Sequence, residues 1–481
     1  MFKTTHLRIF ILFSSLIFCF NYCVPPEEVL SNDDSKFIIE DAYDNIATDS
    51  LLFDTIFTDY TSITKRVKVK NPTGNARMIT SISVGGGSSS PFELNINGQK
   101  TQSFSKIFLR GKDSLSVFVK VNLSKSNQPT PFLSKDSILI QPENGAIQKV
   151  YLTAWGRDAI YYSGETLSGT NIWDNTNARF IYKTITIPSG SSLTITKGVQ
   201  IRAATNAAII VYGTIKIQGD TGINQKVIFS GSRSDGYWKA TPGMWKGIML
   251  MPGAVQNEIT NAEIYNTTDA ISIGSSTENK QSTELKLSNT IIMYASGNGI
   301  IAHNPTIKMW NCVVSNCAGF YFGAYNGGDF TLVHNTFAEN LSNNITRQKP
   351  CVRITPTDLE GVGANPTKVY FVNNIAWGER FKEAYFVNSG EYTLFEVKNN
   401  VMRDSTQLAD NKVFVFKRDD FNNNPRNYKK LLDTLHLDYK LRPLENSIVR
   451  NSGLKLNEYQ YDILGSFRGD TTDVGAYQYK K

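Results

Sequence analysis

The sequence predicts an all-β chain in two parts, a β-sandwich over 41–160 and a solenoid of stacked β-rungs over 161–420. Two observations carry this. Short alternating strands broken by turn residues fill the first part, with almost no helical period. In the second, an asparagine recurs inside a period-two pattern at intervals of 28, 22, 24, 38 and 26 residues. The chain has 481 residues, 41% hydrophobic and 19% charged, enough to bury a sizeable core and too apolar for a disordered chain. Its formal net charge of +7 includes Lys3 and Arg8 of a leader segment. The remaining charge shows no local basic cluster, so a nucleic-acid partner is not expected.

Residues 1–22 read as a signal peptide. Lys3 and Arg8 form a positive start, and Ile9 to Phe20 is apolar except for Ser14 and Ser15, too short to span a bilayer at ~20 residues. The run ends at Cys23 and resembles a bacterial lipoprotein signal, which implies lipidation at Cys23 and a membrane attachment through that lipid alone. The family prefers small residues before the cysteine, and Asn21-Tyr22 depart from that; an ordinary secretory peptide is the alternative. Both place the protein outside the cytoplasm: in the outer membrane or at the cell surface, or else periplasmic or secreted. Residues 23–40, with Pro25-Pro26 and several acids, read as an extended tether. Beyond the leader, Cys312, Cys317 and Cys351 lack metal-ligand spacing and read as small buried hydrophobes, with a Cys312–Cys317 disulfide as the alternative.

Within 41–160 the strand at Thr64 to Lys70 stops at Asn71-Pro72-Thr73-Gly74, and Ile79 to Val84 is closed by three glycines. Phe92 to Ile96, Ser114 to Val121, Asp136 to Ile140 and Lys149 to Trp155 follow, each with one apolar face, as in a two-sheet sandwich. The order of Asn71-Pro72, Pro91-Phe92, Lys112-Asp113-Ser114 and the closing Leu152-Thr-Ala-Trp-Gly156 resembles the ASH/Hydin-type immunoglobulin-like domain. The resemblance implies a spacer or protein-binding module.

The asparagines of the second part are Asn261, Asn289, Asn311, Asn335, Asn373 and Asn399. Apolar residues stand two before each and, in all but one case, two after, so both positions are expected to point inward and Val313 with them. Asparagine tolerates the left-handed conformation and can bond along a stack of its own kind. Repeats of this length, unable to bury a face alone, stack into one core. The pattern resembles the right-handed parallel β-helix of the pectate-lyase-like superfamily. Ile185-Thr-Ile-Pro-Ser-Gly190 through Trp245-Lys-Gly247-Ile248 is similar to the opening rungs of bacterial surface β-helices. The segment Leu441 to Gly453, with Asp462 to Arg468 and Asp473 to Tyr477, resembles the closing segment of secreted β-helix proteins. That family segment often has Asp where this chain has Arg450 or Asn451. Residues 421–481, with a short helix expected from Asn427 to Leu435, are read as a C-terminal cap over the last rung.

No acids line up at one phase of the repeat. Glu258 and Glu396 share a phase but lie five rungs apart, which argues against a catalytic carboxylate pair. The long interval before Asn373 holds an insertion, and Arg353, Asp358 and Glu360 are the fallback catalytic candidates there. Trp310, His334 and Tyr370 are expected outward on adjacent rungs, as a binding face for a sugar or a protein. No metal or cofactor is implied. The expected function is non-catalytic display of a glycan- or protein-binding face at the cell surface. The alternative is a polysaccharide lyase or glycoside hydrolase on the same coil.

Overall fold

A computed structural model describes residues 30–41, 46–60, 62–127, 131–233, 236–276, 281–339, 345–363, 365–378, 380, 382–387, 389–403, 412–414 and 440–480. The leader, Cys23 and the helix expected at Asn427 to Leu435 lie outside them. The chain divides into two compact units, the first ending at Gly156 and the second running from Arg157 to the C-terminus, with a short piece at Asn127–Thr130 joining the second.

The first unit is a sandwich of two five-stranded antiparallel sheets. One orders Ile38–Asp41, Lys65–Lys70, Ser114–Val121, Phe92–Ile96 and Gln99–Thr101; the other orders Ser50–Phe57, Gln148–Arg157, Phe132–Pro142, Arg77–Val84 and Ser103–Leu109. Alternation does the work here: Val67, Val69, Val117, Val119, Ile138, Ile140, Val150 and Leu152 are wholly buried, while their neighbours face out. The tether ends earlier than expected. Ile38–Asp41 pairs with Lys65–Lys70, because Phe37 and Ile39 alternate into the core.

The second unit is built from three parallel sheets of 11, 9 and 8 strands among the described residues, each strand hydrogen-bonded to the equivalent strand of the next turn. This connectivity is a parallel β-helix, with the right-handed crossover that parallel strands adopt almost without exception. One turn illustrates all: Thr283–Ser288, a corner at Asn289, Ile291–Ala295, then Ile300–His303 in the third sheet, then Pro305–Trp310 back in the first.

Strand register defines the corner column. Ser288 pairs with Trp310, Trp310 with Val333, and Val333 with Val372. The corner residues are therefore Asn261, Asn289, Asn311, His334, Asn373 and Asn399, all left-handed, with φ between 49° and 58°. Asn335 is one residue out of this column, and His334 takes the corner. A positive φ also reverses the alternation. Before the corner, Ile259, Leu287, Met309, Phe371 and Val397 point inward, as expected, but in the His334 rung Leu332 points inward in place of the expected Val333. After it, the inward positions are one and three residues on, so Val314, Phe337, Ala376 and Met402 enter the coil core. Val313 is buried but faces the other way.

The inner column carries its own ladder. Asn335 Nδ2 donates to Asn374 Oδ1 at 3.0 Å, and Asn374 Nδ2 donates to Asn400 Oδ1 at 3.2 Å. The same amides donate to the carbonyls of Met309, Leu332 and Phe371, so buried polar groups inside the coil are satisfied. Cys312 occupies this column one turn earlier; it, Cys317 and Cys351 are free, buried thiols within the core cluster.

The described part of the terminal segment, 440–480, lies along the flank of the coil, not across its final rung as expected. Leu441, Val449, Ile463, Val474, Ala476 and Tyr477 pack on Val313, Ile375, Trp377 and Val401. The physical reason is the flipped phase: these apolar side chains point outward after the corner and need a cover.

Candidate functional site

The third sheet turns one row of side chains outward. Register aligns Ser272, Ile301, Gly323, Arg353 and Tyr385 along it, one per rung. Beside this row, His303 pairs with Tyr325 on adjacent strands, and each precedes a left-handed asparagine, Asn304 or Asn326. A groove of about 560 Å³ opens here, lined by His303, Phe320, Tyr325, Lys349 and Leu359 among others.

Gly323 lets Phe320 and Ile301, which line the groove, lie close over its strand. A Cβ at that position would fall 2.9 Å from the Phe320 ring and 3.1 Å from Ile301 Cδ1, so a side chain there would displace both. The aromatic groups are mutually braced. His303 stacks on Tyr325 with centroids 5.8 Å apart and planes 23° apart, and Phe320 meets Tyr325 edge-on at 6.2 Å. Burial pulls the His303 pKa down and pushes the Tyr325 phenol up, the Arg353 charge opposing the latter.

Lys349 is the cation in the groove lining, beside the neutral groups of Ser296, Asn298, Thr346 and Gln348, and two further cations lie next to it on the third sheet. The Arg353 guanidinium lies 5.4 Å from the Tyr325 ring and 5.8 Å from the Tyr385 ring. Lys382 Nζ lies 4.8 Å from the centroid of the Tyr385 ring, and Lys349 Nζ 6.0 Å from that of Phe320. Of the three fallback candidates, only Arg353 belongs to this face. Asp358 Oδ1 accepts from the backbone of Glu360 at 3.0 Å and of Val362 at 2.8 Å, which closes its own loop. Among the described residues, neither carboxylate pairs with Arg353, and no group of three or more His, Cys, Asp or Glu is placed to hold a metal ion.

Behind the groove the insertion is locked by a buried ion pair. Arg347 donates to Glu383 through both Nη atoms, at 2.7 and 2.6 Å, and through Nε to Glu339 at 3.2 Å. Glu383 also accepts from the backbone of Cys351 at 2.9 Å, which fixes the strand Val352–Ile354 that carries Arg353. This pair positions the site and does not line it.

The face expected from Trp310, His334 and Tyr370 is not formed as such. His334 is fully buried at the corner, with Asn373 Nδ2 3.0 Å from its Nε2. Trp310 and Tyr370 are partly exposed, and Tyr459 of the flanking segment meets the Trp310 ring at 6.1 Å. His303, Phe320, Tyr325, Lys349, Lys382 and Tyr385 escaped the sequence reading, which was anchored on the other corner of each rung. The recurrence of Asn304 and Asn326, 22 residues apart, was the available signal.

No family model matches the chain, and no curated protein matches it either. Among solved structures, it is similar to a family 123 glycoside hydrolase from Clostridium perfringens at 8% identity and a TM-score of 0.19. That likeness covers 27% of this chain and 26% of the hydrolase. It is similar to an ASH/PapD-like domain of human CEP192 at 12% identity and a TM-score of 0.17, over 28% of this chain and 93% of that domain. The catalytic domain of a family 87 α-1,3-glucanase, in complex with tetrasaccharides, is similar at 9% identity and a TM-score of 0.13. It covers 72% of this chain and 91% of the other.

Proposed function

We propose that this is an exported, lipid-anchored binding protein whose β-helix takes a carbohydrate chain into the groove of the third sheet, without cleaving it. The observation that carries the reading is the groove itself: His303, Phe320 and Tyr325 braced against one another, with Lys349 in the lining and Arg353 against the Tyr325 ring. Aromatic faces stack on sugar rings, and a parallel stack of rungs holds them at fixed ~4.8 Å intervals. The leader and Cys23 support export and anchoring, and the sandwich suits a spacer.

A lyase or hydrolase reading has Arg353 in its favour as a base, but it lacks a carboxylate beside that arginine among the described residues. Two experiments separate these readings. A glycan array with the full chain should yield bound carbohydrate, and incubation with the bound glycan should leave its chain length unchanged. New ultraviolet absorbance or shortened products would establish catalysis instead. Export is tested by Cys23→Ala, which should move the protein from the membrane to the soluble fraction; retention on membranes would defeat the anchor.

A further inference from the structure

Resting on the lipid-anchored reading, we propose that the sandwich has a membrane-facing end, and that the end where Leu30 enters seats against the lipid headgroups around the anchor. The chain is fastened to the sandwich well before its first strand. Leu30 forms a parallel bridge with Ala76, and Ser31 N donates to the Ala76 carbonyl at 2.8 Å. Arg77, 2% exposed, donates through Nη2 to the Ser35 carbonyl at 2.7 Å and through Nη1 to Ser35 Oγ at 3.3 Å. Its guanidinium lies 4.2 Å from the centroid of the Phe37 ring. The Gln148 amide pairs with both backbone groups of Phe37 at 2.8 Å, as a neighbouring strand would. A Cβ on Gly145, whose φ is 103°, would fall 2.7 Å from the Asp34 carbonyl oxygen, so the loop before Gln148 closes directly on this segment.

These contacts leave little free chain. Seven residue steps separate Cys23 from Leu30, and even fully extended they reach only about 25 Å. The anchor then holds one particular end of the sandwich close to the bilayer. That end is built from 71–76, 110–113 and 143–147. Asn71 Nδ2 donates to the carbonyls of Asn75 and Arg110 at 2.8 and 3.0 Å, and Lys112 N donates to that of Thr73 at 2.9 Å. The strand Arg77–Val84 runs from there to the opposite end at Gly85–Ser90, about 25 Å away. Leu30 and Ile147 lie at the entry end, 45% and 51% exposed. They suit the headgroup boundary, but two side chains make too small a patch to hold lipid without an anchor. Lys36 and Lys112 are mixed there with Asp33, Asp34 and Glu143, so a bilayer without net charge suffices.

The test uses the full lipidated chain in phosphatidylcholine vesicles that carry a spin-labelled lipid, with a fluorescent dye on Ala146→Cys or on Ser88→Cys. Cys312, Cys317 and Cys351 are buried, so the dye goes to the introduced thiol once Cys23 carries lipid. The dye at 146 should lose about half or more of its emission to the labelled lipid, and the dye at 88 should keep nearly all of it, being about 25 Å farther from the surface. A Gly/Ser linker of about twenty residues, inserted between Glu28 and Val29, frees the sandwich from the surface. It should restore most of the emission at 146 while the protein stays on the vesicles. Equal quenching at both positions, quenching at neither, stronger quenching at 88, or quenching at 146 that survives the linker would overturn this seat while the anchor stands. A mass spectrum of the mature chain without lipid at Cys23 would overturn the anchored reading itself, and the seat with it.

Discussion

Arg468 donates through Nη2 to Oδ1 of Asn311 across 2.9 Å, joining the flanking segment to a corner 157 positions earlier in the chain. The same nitrogen reaches the carbonyls of Gly475 and Ala476 at 3.0 and 3.2 Å, so one side chain ties the segment both to the coil and to itself. Burial pulls the Arg468 pKa down to about 10, with Asp462 and Asp473 opposing, and the group stays cationic under ordinary conditions. Arg468→Met would leave buried acceptors unpaired. It should cost about 3 kcal/mol in urea unfolding and open 440–480 to proteases before the coil is cut. Unaltered protease resistance would show that the apolar cover alone holds the segment.

His334 makes stability depend on pH. Burial first, and the Arg468 charge second, hold its pKa well below the ordinary 6.5. The unfolded chain therefore binds a proton on this side chain that the folded chain refuses. Stability from this group is complete above pH 6.5 and falls as pH drops below it, by up to ~1.4 kcal/mol per unit until the folded pKa is reached. His334→Asn restores asparagine to a left-handed corner and should flatten the loss measured between about pH 7 and pH 5. An equally steep fall in the variant would assign the acid sensitivity elsewhere, His303 being the next group with a lowered pKa.

The two asparagine columns should respond differently to truncation. Asn374 is wholly buried and engages Asn335, Asn400 and the Leu332 carbonyl, so Asn374→Leu should cost about 3 kcal/mol or more through the groups it orphans. Asn399 makes one long contact, to Ser452 O at 3.4 Å, and Asn399→Ala should cost about 1 kcal/mol, mostly from its positive φ. Chemical denaturation of the two variants decides the order. A larger loss at Asn399 would mean that the corner column, not the inner one, is the structural ladder.

Much of this was legible in the sequence, and the errors have one cause. The strands before each corner were readable because they run four to six residues with clean alternation, as in Thr283–Ser288. The doublets Asn373-Asn374 and Asn399-Asn400 show two columns side by side, but at His334-Asn335 only the inner member is asparagine. Aligning on that residue slipped the register by one. The left-handed corner then inverted the alternation, which placed Val313 outward beneath the flanking segment and hid His334. The groove was less legible still. Its strands, such as Val352–Ile354 and Ala384–Phe386, are three residues long, too short for periodicity to declare a face.

Phe320 and Ile301 line the groove and lie over Gly323, so Gly323→Val should push both out of place. The added side chain meets Phe320 and Ile301, and overpacking of this kind costs about 1–3 kcal/mol. The variant should remain folded at 25 °C while losing about tenfold or more in glycan affinity, read by calorimetry beside circular dichroism. Undiminished affinity would place the ligand away from Phe320.

Hydrogen–deuterium exchange of the full chain, with and without saturating glycan, locates the binding surface directly. Protection is expected in peptides covering 300–304, 318–326, 349–354 and 382–386, with the sandwich and the Trp310–Tyr370 face unchanged. Protection confined to the sandwich, or to the strands bearing Trp310 and Tyr370, would contradict the assignment of the third-sheet groove as the site.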